Sequence, residues 1–340
     1  MRGIVAAAFL SVAGFLGPIL LNGGVSAAEN ADGAQRAAYE SALKGKTIAF
    51  VPIAMGDPLF QGWDYAISAE AKALGMNYKL RDSNWSTTSM SQAITALIAE
   101  KPDILVAHNI NVQLLARDLR RATEAGIRVI QLNLESNQPT DAFIGADWTG
   151  IGTATAEAIV KDCGAGSGKS GKVAIVAGQL TAADSVLENA ALLKVFESHP
   201  EIKVVSNQAS NWDPDKAREI TSTVLQQNPD VCAIFGHWDV FSLGIGQAVK
   251  QAGRTGKTLV YTSGGGDRRA CDALAAGLFD RYWNYNSLRQ GHDVMTMAKV
   301  LMQLNHKAGS VHFADYSPNT FMTPTTFRPS QCWDLPSMNR

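Results

Sequence analysis

The sequence carries almost no net charge. Its 340 residues include 30 Lys or Arg and 31 Asp or Glu, a formal charge of −1 at pH 7. A protein that binds nucleic acid or an anionic membrane needs a basic surface to neutralise phosphate groups. The composition shows no such excess, so we expect neither partner.

The motifs of common hydrolases and metalloenzymes are also missing. No serine lies on a GxSxG turn, and none of the six histidines forms part of an HExxH pair. A serine nucleophile of that type needs a sharp turn and a nearby base, and zinc enzymes often place two histidines at helical spacing. We therefore expect no enzymatic activity, no bound metal and no cofactor.

Residues 163–170, CGAGSGKS, have the composition of a nucleotide-binding loop but fall one residue short of a P-loop. Cys163 stands where the first glycine belongs, although Gly166, Gly168 and Gly171 also spell GxGxxG. Both loops need a strand before them and a helix after them, so that helix amides face the phosphate. The predicted order here is helix and then strand, so we interpret the stretch as a linker.

The first 28 residues have the pattern of a secretory signal peptide. Arg2 precedes an apolar run from Ile4 to Leu21, and small residues at 25–28 suit a cleavage site. The alternative is an N-terminal membrane anchor, because the run is near the minimum spanning length. No cysteine lies near the cleavage site, which favours a free periplasmic protein over a lipoprotein. Residues 29–45 are predicted to be a flexible segment.

The four cysteines show no CxxC or Cys/His spacing of the kind that binds metals. Export to an oxidising compartment permits disulfides. We predict a bond between Cys271 and Cys332, since it would anchor the tail. Cys232 lies in an apolar strand, Val231 to Phe235, where a small buried hydrophobe is expected. Cys163 has no predicted partner.

Strand and helix patterns alternate along most of the chain. Ile48 to Val51 is an apolar run typical of a strand buried on both faces. Asp57-Pro58 suits a helix start, and Gly75 suits a left-handed helix end. Similar units follow to about residue 146 and then restart. The chain is long enough for two cores, so this order predicts an α/β protein with two lobes and parallel sheets.

The strand, small-polar turn, Asp-Pro-Leu-Phe and helix of residues 46–75 resemble the start of the type I periplasmic sugar-binding proteins, the ribose-binding-like group. The same order of units extends the resemblance over roughly 46–320. It implies two Rossmann-like lobes joined by a hinge of three segments, at 146–147, 284–285 and about 316–319. The implied lobes are 46–146 plus 285–318, and 147–284 plus 319–340, the latter including the tail.

Polar and aromatic residues follow the carboxyl ends of the predicted strands, where open parallel sheets bind ligands. From the residues alone, the candidates for one cleft are Asp57, Phe60, Trp85, His108, Asn109, Asn133, Trp212, His237, Trp238, Asp239, Gly264 and Asn284. The resemblance implies ligand-facing positions at Asp57, Leu59, Phe60, His108, Asn133, Trp212, Trp238, Gly264 and Asn284. Aromatic faces cover the C–H face of a sugar or polyol, while amides and carboxylates bind its hydroxyls. Alternatively, each tryptophan packs into a local core and Asp57 only caps a helix.

Four positions depart from the pentose and hexose binders of this family. Those proteins usually have aspartate at the position of Asn133, arginine at that of Leu134, arginine near Glu188 or Asn189, and aspartate at the position of Gly264. Without those groups the bidentate, charge-assisted hydrogen bonds to ring hydroxyls are lost. We therefore expect a smaller or less oxygenated polyol, or an amine held on the indoles by cation–π attraction.

The resemblance implies an extracytoplasmic, monomeric solute-binding protein that delivers a small sugar or polyol to an ABC permease, with a chemoreceptor as a further candidate partner. Hinge closure would trap the ligand. An enzyme acting on a carbohydrate is one alternative, because Asp57, His108, His237 and Asp239 would share the cleft. A small amine or signalling molecule is another ligand class. A sugar-responsive repressor would need an N-terminal helix-turn-helix, where the export-like segment stands instead.

Overall fold

The computed structural model describes residues 22–335 and contains two six-stranded sheets. The strand orders are β11-β5-β4-β3-β1-β2 and β12-β10-β9-β8-β6-β7. Neighbouring strands are parallel except for β12, which pairs antiparallel with β10. The predicted α/β fold with two parallel-sheet lobes is confirmed. In the described part, no helix is both long and apolar enough to cross a membrane.

The first sheet and the helices joined to it follow one another along the chain, with two late additions. They are β1 (Thr47–Val51), α2 (Pro58–Ala73), β2 (Asn77–Leu80), α3 (Thr87–Glu100), β3 (Ile104–Ala107), α4 (Ala116–Glu124), β4 (Arg128–Leu132), β5 (Ala142–Ala146), α10 (Ser287–Gln303) and β11 (Phe313–Ser317). The second sheet and its helices lie between β5 and α10, and one strand of the tail completes them. They are α5 (Trp148–Cys163), β6 (Lys172–Ala177), α6 (Ala183–Phe196), β7 (Lys203–Ala209), α7 (Pro214–Gln227), β8 (Ala233–Gly236), α8 (Asp239–Gln251), β9 (Leu259–Gly264), α9 (Arg268–Ala275), β10 (Arg281–Asn284) and β12 (Thr320–Met322).

A further helix, α1 (Asn22–Leu43), precedes β1. It occupies most of residues 29–45, the segment that the sequence analysis predicts to be flexible. Alanine and glutamate, frequent in this segment, are good helix formers. Most of the predicted signal peptide, residues 1–21, lies outside the described part of the chain.

The first strand–helix unit forms for the local reasons that its sequence indicates. Ile48 to Val51 are completely buried, with β2 on one side of the strand and β3 on the other. The Asp57 carboxylate accepts the Leu59 backbone N–H at 3.0 Å, and Pro58 occupies the first helical turn. Gly75 has a φ of +68°, the left-handed conformation that favours glycine at a helix end.

The chain passes between the two sheets three times: after β5, after β10, and between β11 and β12. Helix α10 then packs closely on α2, because Gly291 has no side chain to separate it from Ala66 and Trp63. The passes fall at the hinge positions of the sequence analysis. We propose on this basis that the lobes span 46–146 plus 285–318, and 147–284 plus 319–340.

Both cysteine pairs form disulfides. Cys271 is bonded to Cys332, the pair that the sequence analysis joins, with 6.3 Å between their Cα atoms. Cys163 is bonded to Cys232, with 6.0 Å between their Cα atoms. The interpretation of Cys232 as a free buried hydrophobe is therefore wrong. Helix α5 brings its last residue beside the start of β8, a contact that a sequence separation of 69 does not reveal.

Candidate functional site

A cleft of about 370 Å³ lies between the two sheets, at the carboxyl ends of their strands. Each parallel strand ends at this edge, so the loop after it contributes to the wall. The lining residues are Ile53, Leu59, Phe60, Trp85, His108, Ile110, Asn133, Leu134, Trp148, Asp184, Trp212, His237, Trp238 and Tyr285.

Aromatic rings from both lobes meet in the cleft. The Phe60 ring centroid lies 5.8 Å from that of Trp85 and 5.6 Å from that of His108, all in the first lobe. Across the cleft it lies 6.4 Å from Trp238, which is 6.0 Å from Trp212. A ligand that packs against this group of rings would therefore contact both lobes at once, and its apolar C–H groups would meet aromatic surface.

Two of the tryptophans sit in unusual Asn-Trp turns, one in each lobe. Asn84 and Trp85 have φ values of 47° and 60°, and Asn211 and Trp212 have 55° and 67°. Asparagine tolerates this left-handed region, but a bulky residue there is strained. The Trp212 ring also needs Gly178 beneath it, since a Cβ at that position would lie 2.2 Å from ring carbons. The backbone is thus held in a costly conformation that points both indoles into the cleft.

Several buried polar atoms of the cleft have no hydrogen-bond partner among the described residues. They are both ring nitrogens of His108, Nε2 of His237, Nε1 of Trp212, Nε1 of Trp238 and Oδ1 of Asp184. Burial lowers the pKa of both histidines to about 3, so each is neutral at pH 7. Unpartnered buried polar groups are rare and costly. Their convergence on one cleft indicates a ligand with several hydroxyl or amine groups.

Three buried side chains form an acidic cluster at the second-lobe side of the cleft: Asp184, Glu188 and His237. One ligand atom from each lies within 4.8 Å of the others. His237 Nδ1 is 3.6 Å from Glu188 Oε2 and 3.2 Å from the Ser185 hydroxyl. These are donor types that divalent metals accept. The cluster could therefore hold either a metal ion or a cationic group of a ligand.

Burial controls the protonation of the two acids in this cluster. It raises the pKa of Asp184 to about 7, against the opposing effect of hydrogen bonds from Ser185. It also raises the pKa of Glu188 well above its usual value, and the neighbouring charge of Asp184 adds to this. The described part of the cleft wall carries no lysine or arginine. Without a cation from elsewhere, the acids reduce the cost of burial by keeping protons.

The two lobes touch around the rim, so the structure is a closed form. Arg269 in α9 donates to the Asp57 carboxylate at 2.8 Å across the opening. On the opposite rim, the Asn111 amide donates to the Thr181 hydroxyl at 2.9 Å, and the Val112 backbone N–H donates to the Thr181 carbonyl at 3.1 Å. These contacts exist only while the lobes are together.

Replacing Arg269 with methionine should reduce ligand affinity only slightly, by about two- to fivefold. The Asp57–Arg269 pair favours closure, but the arginine side chain is half exposed and solvent screens it. Calorimetric titration at low and high salt measures the effect, which should shrink as salt rises. Arg268→Met is the matched control, because Arg268 is exposed and makes no ion pair among the described residues. A loss of affinity greater than twentyfold would contradict the interpretation that this ion pair stabilises the closed form only weakly.

The structure brings eight of the thirteen predicted ligand-binding residues to the cleft wall. They are Leu59, Phe60, Trp85, His108, Asn133, Trp212, His237 and Trp238. Asn133 is also tied to the hinge side, because its side-chain oxygen accepts from Gln290 at 3.1 Å and its carbonyl accepts from the Trp148 indole at 2.8 Å. Ligand contact by these eight residues remains a proposal.

The other five predicted residues do not line the cleft, and we correct their placement. Asp57 caps α2 and pairs with Arg269 at the rim. Asn109 is buried, and its side-chain oxygen accepts from the Asn111 backbone within its own turn. Asp239 accepts the Tyr282 hydroxyl at 2.7 Å instead of facing the cleft.

Gly264 and Asn284 lie behind the wall for steric and hydrogen-bonding reasons. A Cβ on Gly264 would lie 1.8 Å from an Asp239 carboxylate oxygen, so the glycine makes room for that buried carboxylate. The Asn284 amide donates to the Gln331 carbonyl at 2.9 Å, and its oxygen accepts the Asn286 N–H at 2.7 Å. These residues therefore shape the turns beside the cleft.

Six lining residues were not among the sequence candidates: Ile53, Ile110, Leu134, Trp148, Asp184 and Tyr285. Five of them are apolar or aromatic residues that also suit a core, so their type gave no signal. Asp184 was detectable, since it follows the end of β6 just as the other candidates follow their strands. The sequence analysis considered Glu188 and Asn189 instead, because the family's arginine is expected near them. Both positions lie about one helical turn after Asp184.

Comparison with known proteins gives a consistent result. A family model described as "Periplasmic binding protein domain" matches residues 48–307. The chain is 27% identical over 235 residues to the D-allose-binding periplasmic protein of Escherichia coli (strain K12), which covers 66% of this chain and 75% of that protein. It is 24% identical over 196 residues to the xylitol-binding protein of Mycolicibacterium smegmatis, 57% of this chain and 55% of that protein.

Solved structures show the same fold. A glucose-galactose binding protein from Geobacillus stearothermophilus superposes with a TM-score of 0.73 at 19% identity, covering 84% of this chain and 99% of that chain. A solute binding protein from Agrobacterium vitis bound to α-D-tagatopyranose superposes with a TM-score of 0.72 at 20% identity, covering 82% of this chain and 95% of that chain. At these identities the likeness concerns architecture.

Proposed function

This chain belongs to the periplasmic binding protein domain family, and on that premise we propose that it captures a small sugar or polyol outside the cytoplasm for an ABC importer. The relatives named above bind D-allose and xylitol, which are neutral polyhydroxylated molecules. The observation that carries the proposal is the cleft itself. Aromatic rings from two lobes line the same cleft as buried donors and acceptors that have no partner in the part of the chain that the structure describes.

Closure of the two lobes around the ligand would be the working step. Phe60 and Trp85 belong to the first lobe, and Trp212 and Trp238 to the second, so the ligand gains its full set of contacts only when the lobes meet. A ligand can favour the closed form only through contacts that the open form lacks. The permease would then recognise the closed protein. We propose a monomer, released into the periplasm after removal of residues 1–28, with a chemoreceptor as a second candidate partner.

A carbohydrate-converting enzyme finds less support in this geometry. The sequence alternative needs Asp57, His108, His237 and Asp239 to share the cleft, but the two aspartates are engaged elsewhere. The family consists of binding proteins. We therefore propose that the cleft binds its ligand without chemical change.

A ligand screen followed by mass spectrometry tests this function. Mature protein beginning at residue 29 is screened by thermal shift against sugars and polyols, because a ligand specific to the folded state stabilises it by about 2.7 kcal/mol at a hundredfold excess over Kd. The best ligand is then incubated with the protein and recovered. We expect one bound molecule per chain, returned with unchanged mass. A product that accumulates with time, absent from a protein-free control, would contradict the proposal.

A further inference from the structure

The cleft contains buried acidic groups but no basic side chain to pair with them among the described lining residues. Asp184 and Glu188 are both buried in the acidic cluster, and the described lining residues include no lysine or arginine. His237 is neutral at pH 7, because burial lowers its pKa to about 3. A buried carboxylate without a counter-ion is costly. Residues 22–335 therefore supply no cation to the cleft wall beside Asp184, and its Oδ1 has no hydrogen-bond partner among them.

The aromatic wall adds a second, independent preference for positive charge. Four aromatic rings, those of Phe60, Trp85, Trp212 and Trp238, line the same cleft as Asp184. The face of an aromatic ring, above all of an indole, attracts a cation, and desolvation strengthens that attraction. A cationic group bound in this cleft would therefore have both a carboxylate and aromatic rings among its neighbours.

The remaining unpartnered atoms show that a cation alone would not satisfy the cleft. Within the described range, the indole N–H groups of Trp212 and Trp238 are buried donors without acceptors, and neutral His108 offers another N–H. An ammonium group has no lone pair to accept these hydrogen bonds, but hydroxyl oxygens do. The complementary ligand therefore carries a protonated amine and hydroxyl groups on one small frame.

We propose that the ligand is an amino sugar or amino polyol whose ammonium group pairs with Asp184. This inference rests on the proposed function, since it concerns the same cleft, and it narrows the substrate class from neutral to cationic. The hydroxyl groups accept from Trp212, Trp238 and His108, while the ammonium donates to Asp184 Oδ1 and to His237 Nε2.

Matched ligand pairs test the charge directly on the unmodified mature protein. D-Glucosamine is compared with D-glucose, D-galactosamine with D-galactose, and 2-amino-1,3-propanediol with glycerol, by calorimetric titration at pH 7. A hydrogen bond to a charged group is stronger than a neutral one, so the better-fitting amine should bind about 10- to 100-fold more tightly than its neutral partner. Asp184→Asn keeps the shape and removes the charge, and it should abolish this preference. Asp215→Asn is the control, because Asp215 is an exposed carboxylate on α7.

The pH profile gives a readout that a folding defect cannot imitate. Burial raises the pKa of Asp184 to about 7, so the carboxylate loses its charge as pH falls below 7. Amine affinity should then fall by about tenfold per pH unit between pH 7 and 5, while the neutral partner shows no such fall. The other titratable groups facing Asp184 are Glu188 on α6, His237 after β8, Tyr285 after β10 and His108 across the cleft. A slope removed by Glu188→Gln but kept by Asp184→Asn would overturn the assignment to Asp184.

The outcomes separate the inference from the function on which it rests. Equal or tighter binding of the neutral member of every responding pair would overturn the inference and leave the proposed function standing. If no member of any pair binds, and no compound of the wider sugar and polyol screen binds either, the proposed function is overturned as well. A metal site would replace the inference on a different pattern of results. In that pattern, zinc, manganese or calcium chloride alone stabilises the protein, Glu188→Gln loses this stabilisation, and no amine is preferred over its neutral partner.

Discussion

Replacing Trp238 with alanine is expected to weaken ligand binding about ten- to hundredfold. The indole is only 5% exposed, and it lies between Trp212 of its own lobe and Phe60 of the other. Its Nε1 has no hydrogen-bond partner in residues 22–335, so its N–H can donate to a ligand. Loss of a buried aromatic contact costs about 1 to 3 kcal/mol, which corresponds to this change in affinity. Ligand-induced compaction, measured by small-angle scattering, should decrease in parallel.

The matched control is Trp283→Ala. Trp283 is equally buried, but it stacks on Tyr261, contacts Phe321 and is not among the residues that line the cleft. Its truncation should cost about 3 to 5 kcal/mol of unfolding free energy and leave the affinity of the folded protein unchanged. Trp238→Ala should show the opposite pattern, with the larger effect on binding. Normal affinity in a Trp238 variant that melts much earlier would assign this residue to the core instead.

Removing the Cys271–Cys332 bond by a double serine substitution should lower the free energy of unfolding by up to roughly 4 kcal/mol. The bond closes a loop with a sequence separation of 61, and cross-linking such a loop removes entropy from the unfolded chain. It also anchors the tail, whose Trp333 indole donates to the Gly265 carbonyl at 2.7 Å and packs against Gly62. Denaturant titration of the oxidised protein and the double variant measures the difference.

The control for the thiol-to-hydroxyl change is to titrate both proteins again under reducing conditions. The wild type should then lose most of its advantage over the double variant, because only the bond distinguishes them strongly. Peptide mapping without reductant should recover residues 271 and 332 in one cross-linked peptide. Two free thiols at these positions, or equal stability of the oxidised proteins, would contradict the assignment.

Local features were the part of the fold that could be predicted from the sequence. Helix starts at Asp57, Ser86 and Asp213 depend on a side-chain oxygen and the backbone N–H groups two or three residues later. The order of strands and helices then determined which turns share one edge, since the carboxyl ends of parallel strands meet there. This is why eight of the thirteen predicted residues line the cleft.

The sequence misplaced site residues whose side chains bond to residues far away along the chain. Asp239 follows His237 and Trp238 in one turn, so the sequence offers no reason to separate them. In the fold, Tyr282 provides a hydroxyl 43 positions away, and the carboxylate turns to accept it. Asp184 was missed for a related reason. An acidic residue in the first turn of a helix commonly has a local role there, and only the packing of α6 in the fold buries Asp184 beside the cleft.

The sequence by itself determined the α/β class, the two-lobe order and the edge at which a ligand can bind, because hydrophobic periodicity and helix caps act over a few residues. Only the tertiary structure decided which side chains face that ligand, which cysteine joins Cys163, and that Asp57 meets Arg269 across 212 positions. These pairings depend on how two separately formed sheets approach each other. The residues that form these contacts have no fixed spacing along the chain, so the sequence pattern does not reveal them.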